Sequence, residues 1–115
     1  GRVDIVYETK GCGIYRLRIE PGEKIPTHLH EVMEEHELIL TPGLKLQGEE
    51  IQQGSAFSWP LSHPHLYENI SSVEQVILCV DRPCFIANDE IEVDTPYEEL
   101  VLVDTEECYP AQEEG

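Results

Sequence analysis

The sequence predicts an all-β fold, a sandwich or a barrel, from three observations. Short segments alternate apolar and polar residues, they recur at intervals of roughly 8–12 residues, and glycine and proline separate them. No stretch shows a sustained apolar period of 3.6 residues, which an amphipathic helix would require. Short strands at this spacing are typical of antiparallel sandwiches and barrels.

The clearest candidate strand is residues 14–19, because Tyr15, Leu17 and Ile19 share one face and two arginines share the other. A turn follows at residues 21–24, where proline and glycine are adjacent. The histidines at 28 and 30 lie in another extended segment. The further candidate strands are residues 36–41, 44–47, 56–59, 66–70, 74–80, 91–93 and 100–103.

The length and charge of the chain restrict its partners. With 115 residues, 40% of them hydrophobic, the chain forms one domain, which we place at residues 1–105, followed by an acidic tail at residues 106–115. Lys and Arg number 7 against 24 Asp and Glu, for a net charge of -17. Such a surface repels nucleic acid and anionic lipid. We expect neither as a partner, and we expect a soluble, cytoplasmic protein.

The four cysteines do not form a metal-binding pattern. Cys12, Cys79, Cys84 and Cys108 include no Cys-x-x-Cys pair, so a structural zinc site is not predicted. Cys79 and Cys84 flank a four-residue segment and could form a disulfide, whereas a reducing compartment would keep them as thiols. The sequence leaves this alternative open.

All five histidines lie between residues 28 and 65, and this clustering is the most informative feature of the sequence. His28 and His30 alternate in an extended segment, so their imidazoles project from one face, and the two residues lie about 6–7 Å apart at the backbone. Two such imidazoles can chelate one divalent cation if neighbouring strands supply further ligands. His36 and His65, with the glutamates at 34 and 35, are the available donors.

The spacing around these histidines resembles the two characteristic motifs of the cupin superfamily. The first is a glycine, five residues, His-x-His, three or four residues, a glutamate, six residues and a glycine. Its opening is matched by Gly22, His28, His30 and either Glu34 or Glu35. The second is a glycine, five residues, Pro-x-Gly, two residues, a histidine, three residues and an asparagine. It is matched by Gly54, Pro60, His65 and Asn69, with Ser62 in place of the last glycine.

This resemblance covers residues 22–69 by the motifs and residues 15–85 with the flanking strands. It implies a double-stranded β-helix, the small jelly-roll barrel of the cupins, with one metal ion near its centre. The ligands that it implies include His28, His30 and His65. We expect Asn69 to stabilise a turn rather than to contact a substrate.

The third ligand is the point at which the sequence departs from the motif. Counting back from Gly43 places His36 there, whereas counting forward from His30 places Glu35 there. Neighbouring residues of a strand face opposite sides. An inward Glu35 would therefore also bring Glu37 into the barrel as an unpaired charge, which is costly. We predict His36 as this ligand and Glu35 as the alternative; the four-histidine set resembles that of a minority of small cupins.

We expect one divalent transition metal per chain, Fe, Mn, Zn, Ni or Cu, since imidazole ligands do not select among such ions. Four ligands on an octahedral ion leave two adjacent positions for a substrate, or for a substrate and dioxygen. Turnover also needs an acid or a base. His63 and Tyr67 are the candidates, because both share the alternation of His65.

The function favoured by these features is that of a small metalloenzyme with dioxygenase-like oxygen chemistry, ahead of isomerase or lyase chemistry. The first alternative is a non-catalytic cupin module that binds a metal or a small molecule. The second is a structural barrel in which the histidines are incidental. We expect a small-molecule substrate or ligand and, because the barrel leaves sheet edges to protect, a homodimer.

Overall fold

A computed structural model describes residues 1–100 and 106–107, which form two antiparallel sheets whose strands we number in chain order. The six-stranded sheet has the spatial order β1 (Arg2–Glu8), β2 (Gly13–Ile19), β9 (Gln75–Arg82), β4 (Glu34–Ile39), β7 (Ser55–Trp59) and β11 (Glu106–Glu107). The five-stranded sheet has the order β10 (Ile91–Glu92), β3 (Lys24–Leu29), β8 (His65–Asn69), β5 (Leu44–Leu46) and β6 (Glu49–Ile51). Two short 3-10 helices are present, Ala87–Asp89 and Tyr97–Glu99. The predicted all-β class is confirmed.

The core lies between the two sheets, and in several strands buried residues alternate with more exposed ones. In β9, for example, every second residue from Gln75 to Asp81 is buried. Apolar side chains of both sheets meet in one cluster: Tyr15, Ile19, Ile39, Leu44, Leu46, Ile51, Phe57, Trp59, Tyr67, Ile77 and Cys79. Polar residues that face inward therefore lie on the same side of their strands as the core residues.

Most of the predicted strands are present, with shifted ends. The strand predicted at residues 36–41 begins two residues earlier, at Glu34, and β1 was not predicted as a strand. Of the strand predicted at 100–103, residue 100 lies in no strand and the others are outside the described residues. In the predicted acidic tail, Glu106 and Glu107 pair with β7, and the remainder lies outside the described residues.

Two residues of the second motif have structural roles in turns. Ser62, which stands where the cupin motif has glycine, adopts a left-handed φ of 63°, and its N–H donates to the His30 carbonyl at 2.7 Å. The Asn69 side chain donates to the carbonyls of Ile19 and Val73, each at 2.8 Å. Asn69 thus holds the turn after β8 against β2, as we predicted.

Strand β1 forms an edge of the larger sheet and carries exposed apolar side chains, among them Ile5 and Tyr7. This edge is available for the predicted homodimer, which stays a prediction.

The cytoplasmic location and the exclusion of nucleic-acid and membrane partners also stay predictions. Among the described residues, no helix has the length and apolar character that a bilayer-spanning segment needs. Cys12, Cys79 and Cys84 are free thiols, so the disulfide considered between Cys79 and Cys84 is not formed; Cys108 lies outside the described residues.

Candidate metal centre

Three of the predicted histidines converge between β3 and β8. His28 in β3 pairs directly with His65 in β8, and His30 follows two residues later on the same face. The ring centroid of His65 lies 4.3 Å from that of His28 and 5.2 Å from that of His30. All three are buried, and each offers a ring nitrogen within 4.8 Å of the other two. One divalent cation could contact all three.

The backbone fixes which nitrogen of each histidine is available. The Nδ1 atoms of His28, His30 and His65 lie 2.8, 2.9 and 2.9 Å from the carbonyl oxygens of Pro26, Asp89 and His63. A carbonyl only accepts, so each Nδ1 carries the proton and donates it. In the neutral ring the lone pair is then on Nε2, the arrangement that a metal-binding histidine needs.

His65 provides the direct test of whether these residues fit a metal ion. Its side chain is fully buried, and its Nε2 has no hydrogen-bond partner among the described residues. Burial, followed by the charge of His28, lowers the pKa of His65 to about 3, so the ring is neutral at neutral pH. A buried, neutral, unpaired imidazole nitrogen is costly in a protein interior unless it has a ligand. The donor set fits a divalent transition metal.

Glu35 completes this group from the opposite sheet. Its Oε2 lies 2.8 Å from Nε2 of His30, and its side chain faces the barrel interior from β4. Burial alone would raise the pKa of Glu35, but the hydrogen bond from His30 and the neighbouring imidazoles hold it at about 2. Burial likewise opposes the charged form of His30, and Glu35 nevertheless raises the pKa of His30 to about 9. Glu35 is thus a carboxylate placed to share a cation with the histidines.

The prediction that His36 faces this site is wrong. In β4 the buried residues are Glu35, Glu37 and Ile39, and His36 lies on the opposite face. The His36 ring is on the outside of the barrel, where its Nδ1 lies 2.6 Å from the Ser58 hydroxyl. The structure therefore brings the alternative residue, Glu35, to the histidine group, in contact with His30.

The reason is that inward Glu37 is not an unpaired charge. Trp59 Nε1 donates to its Oε1 at 2.5 Å, the Tyr67 hydroxyl donates to the same oxygen, and Cys79 Sγ donates to Oε2 at 3.2 Å. Burial, then the negative charge of Glu35, raises the pKa of Glu37 well above its usual value. Both effects favour the protonated, neutral carboxyl. Its donors come from three other strands, which the alternation within β4 could not reveal.

The two predicted catalytic candidates lie in different surroundings. The Tyr67 side chain lines the interior, with its ring centroid 5.7 Å from that of His65 and its hydroxyl 3.3 Å from Glu35 Oε1. Burial raises the pKa of Tyr67 well above its usual value, so the hydroxyl is protonated and serves as a donor. The His63 ring is tilted against that of Trp59, at 5.3 Å between centroids, and the His63 carbonyl accepts from His65. The His63 ring does not line the cavity that opens beside His28 and His30.

A cavity of about 420 Å³ opens beside this group of residues. It is lined by the candidate ligands His28, His30 and Glu35 and by apolar residues of β1 and β2. The other polar residues of its lining are Glu8, Tyr15, Tyr67, Cys79, Asp81 and Glu90. A small organic molecule could therefore lie in contact with the candidate metal ligands.

Two aspartates near the site were missed by the sequence analysis. Asp89 accepts hydrogen bonds from the backbone N–H groups of Glu31, Val32 and Met33, and its carbonyl accepts from His30. It thereby holds the loop that carries His30. The signal for Asp81 was present: continuing the alternation of the predicted strand at residues 74–80 by one residue places it inward. No comparable local pattern identifies Asp89.

We expect Asp81→Asn to stabilise the metal-depleted protein, and more so at higher pH. Burial, then the charge of Glu35, raises the pKa of Asp81 from 3.8 to about 7. The folded state then binds the proton more tightly than the unfolded state, so the contribution of Asp81 becomes unfavourable as the pH rises from about 4 to 7. Urea denaturation at pH 5 and pH 8 should show that the gain in the free energy of unfolding is larger at pH 8, where it is at most about 4 kcal/mol. Glu50→Gln, which neutralises an exposed carboxyl, is the control; an equal gain at both pH values would contradict the assignment.

The fold is similar to those of solved structures. A cupin domain from Bordetella pertussis superposes with a TM-score of 0.60 at 19% identity, over 72% of this chain and 93% of that one. A cupin-superfamily sugar phosphate isomerase from Silicibacter pomeroyi gives a TM-score of 0.57 at 25% identity, over 63% and 50%. The chain is a cupin. A variant of oxalate decarboxylase from Bacillus subtilis gives 0.63 at 16% identity, over 74% of this cupin and 25% of that chain.

The comparisons establish the fold of this cupin and its superfamily rather than its reaction. The match covers half of the isomerase chain and a quarter of the decarboxylase chain. No protein-family model matches the sequence, and no curated protein matches it. The predicted double-stranded β-helix is confirmed.

Proposed function

We propose that this cupin is a metal-dependent enzyme that acts on a small organic molecule, with oxygen chemistry as the favoured reaction. The observation that carries the proposal is the convergence of His28, His30 and His65, with the Glu35 carboxylate in contact with His30. His28, His30 and Glu35 also line the cavity. Three Nε2 atoms and one carboxylate would hold one divalent ion. This set suits Fe, Mn, Zn, Ni or Cu.

A divalent metal held there would supply a Lewis acid with positions left for a substrate. The residues of this chain have separate tasks. The backbone carbonyls that accept from Nδ1 keep the imidazoles oriented. Tyr67 contacts both Glu35 and Glu37, so it holds the Glu35 carboxylate against the histidines as a positioning residue. The barrel interior excludes water from these contacts.

Isomerase chemistry is the second candidate, and the 25% identity to a sugar phosphate isomerase supports it. It uses the same metal ligands but consumes no oxygen. A non-catalytic module that binds a metal or a small molecule is the remaining alternative. The cavity suits all three, so the test has to measure turnover.

The test is an activity screen of the protein loaded in turn with Fe, Mn, Ni, Cu and Zn. Oxygen uptake and substrate loss would be measured with small diketones, thiols, phenols, sugars and amines, and His65→Ala would serve as the variant deprived of a ligand. We expect oxygen uptake with at least one metal and substrate class, and none in His65→Ala. Substrate conversion without oxygen uptake would favour the isomerase. Absence of any turnover, with one compound bound tightly, would contradict catalysis and favour the binding module.

A further inference from the structure

Asp81 presents a buried carboxyl to the cavity and forms no hydrogen bond to the candidate metal ligands in the described part of the chain. It lies in β9 opposite Glu35 in β4, and its residue surface is 3% exposed. Its Oδ1 has no hydrogen-bond partner among the described residues, although the side chain lines the cavity. A buried acceptor without a donor is costly unless a ligand provides one. Asp81 therefore indicates a ligand with a hydrogen-bond donor.

The charge of the cavity restricts what that donor can belong to. Its lining holds four carboxyl groups, those of Glu8, Glu35, Asp81 and Glu90, and it includes no lysine or arginine side chain among the described residues. Gly1 also lines the cavity, and its amino group is paired with Glu23 at 2.9 Å. With neutral histidines and a bound dication, Glu35 would offset part of the metal charge. The other carboxylates would still give the site an excess of negative charge. An anionic ligand would be repelled by this set, and a cationic one attracted.

The four carboxyls are not equally available. Glu8 accepts a hydrogen bond from the Tyr15 hydroxyl at 2.5 Å. Glu90 lies 3.7 Å from His28 Nε2 and its side chain is 45% exposed, so water screens it. Glu35 contacts His30. Asp81 is the carboxyl that is both buried and without a donor, so it is the one that a ligand would contact.

Apolar side chains form another part of the lining, beside Tyr15, Tyr67 and Cys79. Five aliphatic and aromatic residues contribute to it: Val3, Ile5, Leu17, Ile25 and Phe85. Of these, Val3, Ile5 and Phe85 are about half exposed, so a ligand that covered them would remove apolar surface from water. The cavity thus combines one buried acceptor with an apolar wall.

We propose that the cavity binds small organic amines, with the protonated amino group donating to Asp81 and the hydrocarbon part against the apolar wall. The inference rests on the proposed function, since the amine would be the substrate class of that site. Anionic compounds such as the sugar phosphate and the oxalate for which two structural neighbours are named do not match this lining. A charge-assisted hydrogen bond to a desolvated carboxylate is stronger than one from a neutral hydroxyl.

The experiment compares three probes of similar shape, 2-phenylethylamine, 2-phenylethanol and phenylacetate, by calorimetric titration into the zinc-loaded protein. We expect the amine to bind at least tenfold more tightly than the alcohol, and phenylacetate to bind most weakly. Phenylacetate binding as tightly as the amine, or an amine no tighter than the alcohol, would overturn the proposal. This comparison uses the wild-type chain alone, so it does not depend on the folding of any variant.

Two variants test whether the preference for the amine depends on Asp81. In Asp81→Asn the tenfold preference for amine over alcohol should disappear while the zinc content is retained. In Glu50→Gln, which removes an equal charge outside the cavity lining, the preference should be unchanged. Loss of zinc in Asp81→Asn would mean that Asp81 serves the metal and would overturn the assignment. Elemental analysis of zinc in the same samples separates failure of the metalloenzyme proposal from failure of the amine proposal. Wild-type protein without zinc would contradict the metalloenzyme. The order of affinities of the three probes tests the amine site.

Discussion

The His65→Ala variant is expected to lose metal binding almost completely. His65 has the most buried of the three imidazoles, and its Nε2 is an acceptor that no other described residue satisfies. Alteration of an outer partner of a metal ligand typically lowers affinity about 10–100-fold, so removal of a ligand should cost more than 100-fold. Calorimetric titration with Zn²⁺ and elemental analysis of the purified variant measure this.

His36→Ala is the matched control, because it removes an imidazole from the outer face of the barrel. We expect its metal affinity to stay within about twofold of wild type. This control also decides between the two ligand sets that the sequence left open. Equal loss of metal in His36→Ala and His65→Ala would contradict the orientation of β4. Undiminished metal binding in His65→Ala would contradict the site itself.

The Glu37→Ala variant should show the largest loss of stability. The Glu37 carboxyl is 3% exposed and accepts from Trp59, Tyr67 and Cys79. Alanine would leave the buried Cys79 thiol without its acceptor and create a cavity in the core. Trp59 and Tyr67 would keep only their longer hydrogen bonds, to the Tyr67 hydroxyl at 3.1 Å and to Glu35 at 3.3 Å. Each effect costs about 1–3 kcal/mol, so we expect a loss of about 3–5 kcal/mol in the free energy of unfolding. Urea denaturation of the metal-depleted protein measures it.

Glu34→Ala provides the comparison, because Glu34 belongs to the same strand but faces solvent. Its carboxylate forms an exposed ion pair with Arg82, at 2.8 Å. Such pairs contribute at most about 1 kcal/mol. If the two variants lost the same stability, the hydrogen-bonded cluster around Glu37 would not be the source of the effect.

The fold could be predicted because its determinants are local. The alternation of Tyr15, Leu17 and Ile19 follows from the geometry of a strand, and that of residues 74–80 does so as well. The two histidine motifs added the barrel topology, which alternation alone does not specify. Strand β1 was missed although the signal was present, because Val3, Ile5 and Tyr7 alternate with other residues and share one face.

The site could be predicted only in part, because some of its energetics is non-local. His28, His30 and His65 follow from strand pairing and spacing. The orientation of β4 depends instead on donors from β7, β8 and β9 that make inward Glu37 favourable. A penalty for a buried carboxyl can be assessed only when its partners are known. Asp89 is held next to His30 by contacts spanning 59 residues of sequence, which no local pattern reports.

X-ray absorption spectroscopy of the zinc-loaded protein tests the central claim, that three imidazoles and Glu35 hold one metal ion. The account predicts multiple-scattering features of three imidazole ligands together with oxygen scatterers, unchanged in His36→Ala and reduced to two imidazoles in His65→Ala. A spectrum with four imidazoles, or one without imidazole scattering, would contradict it.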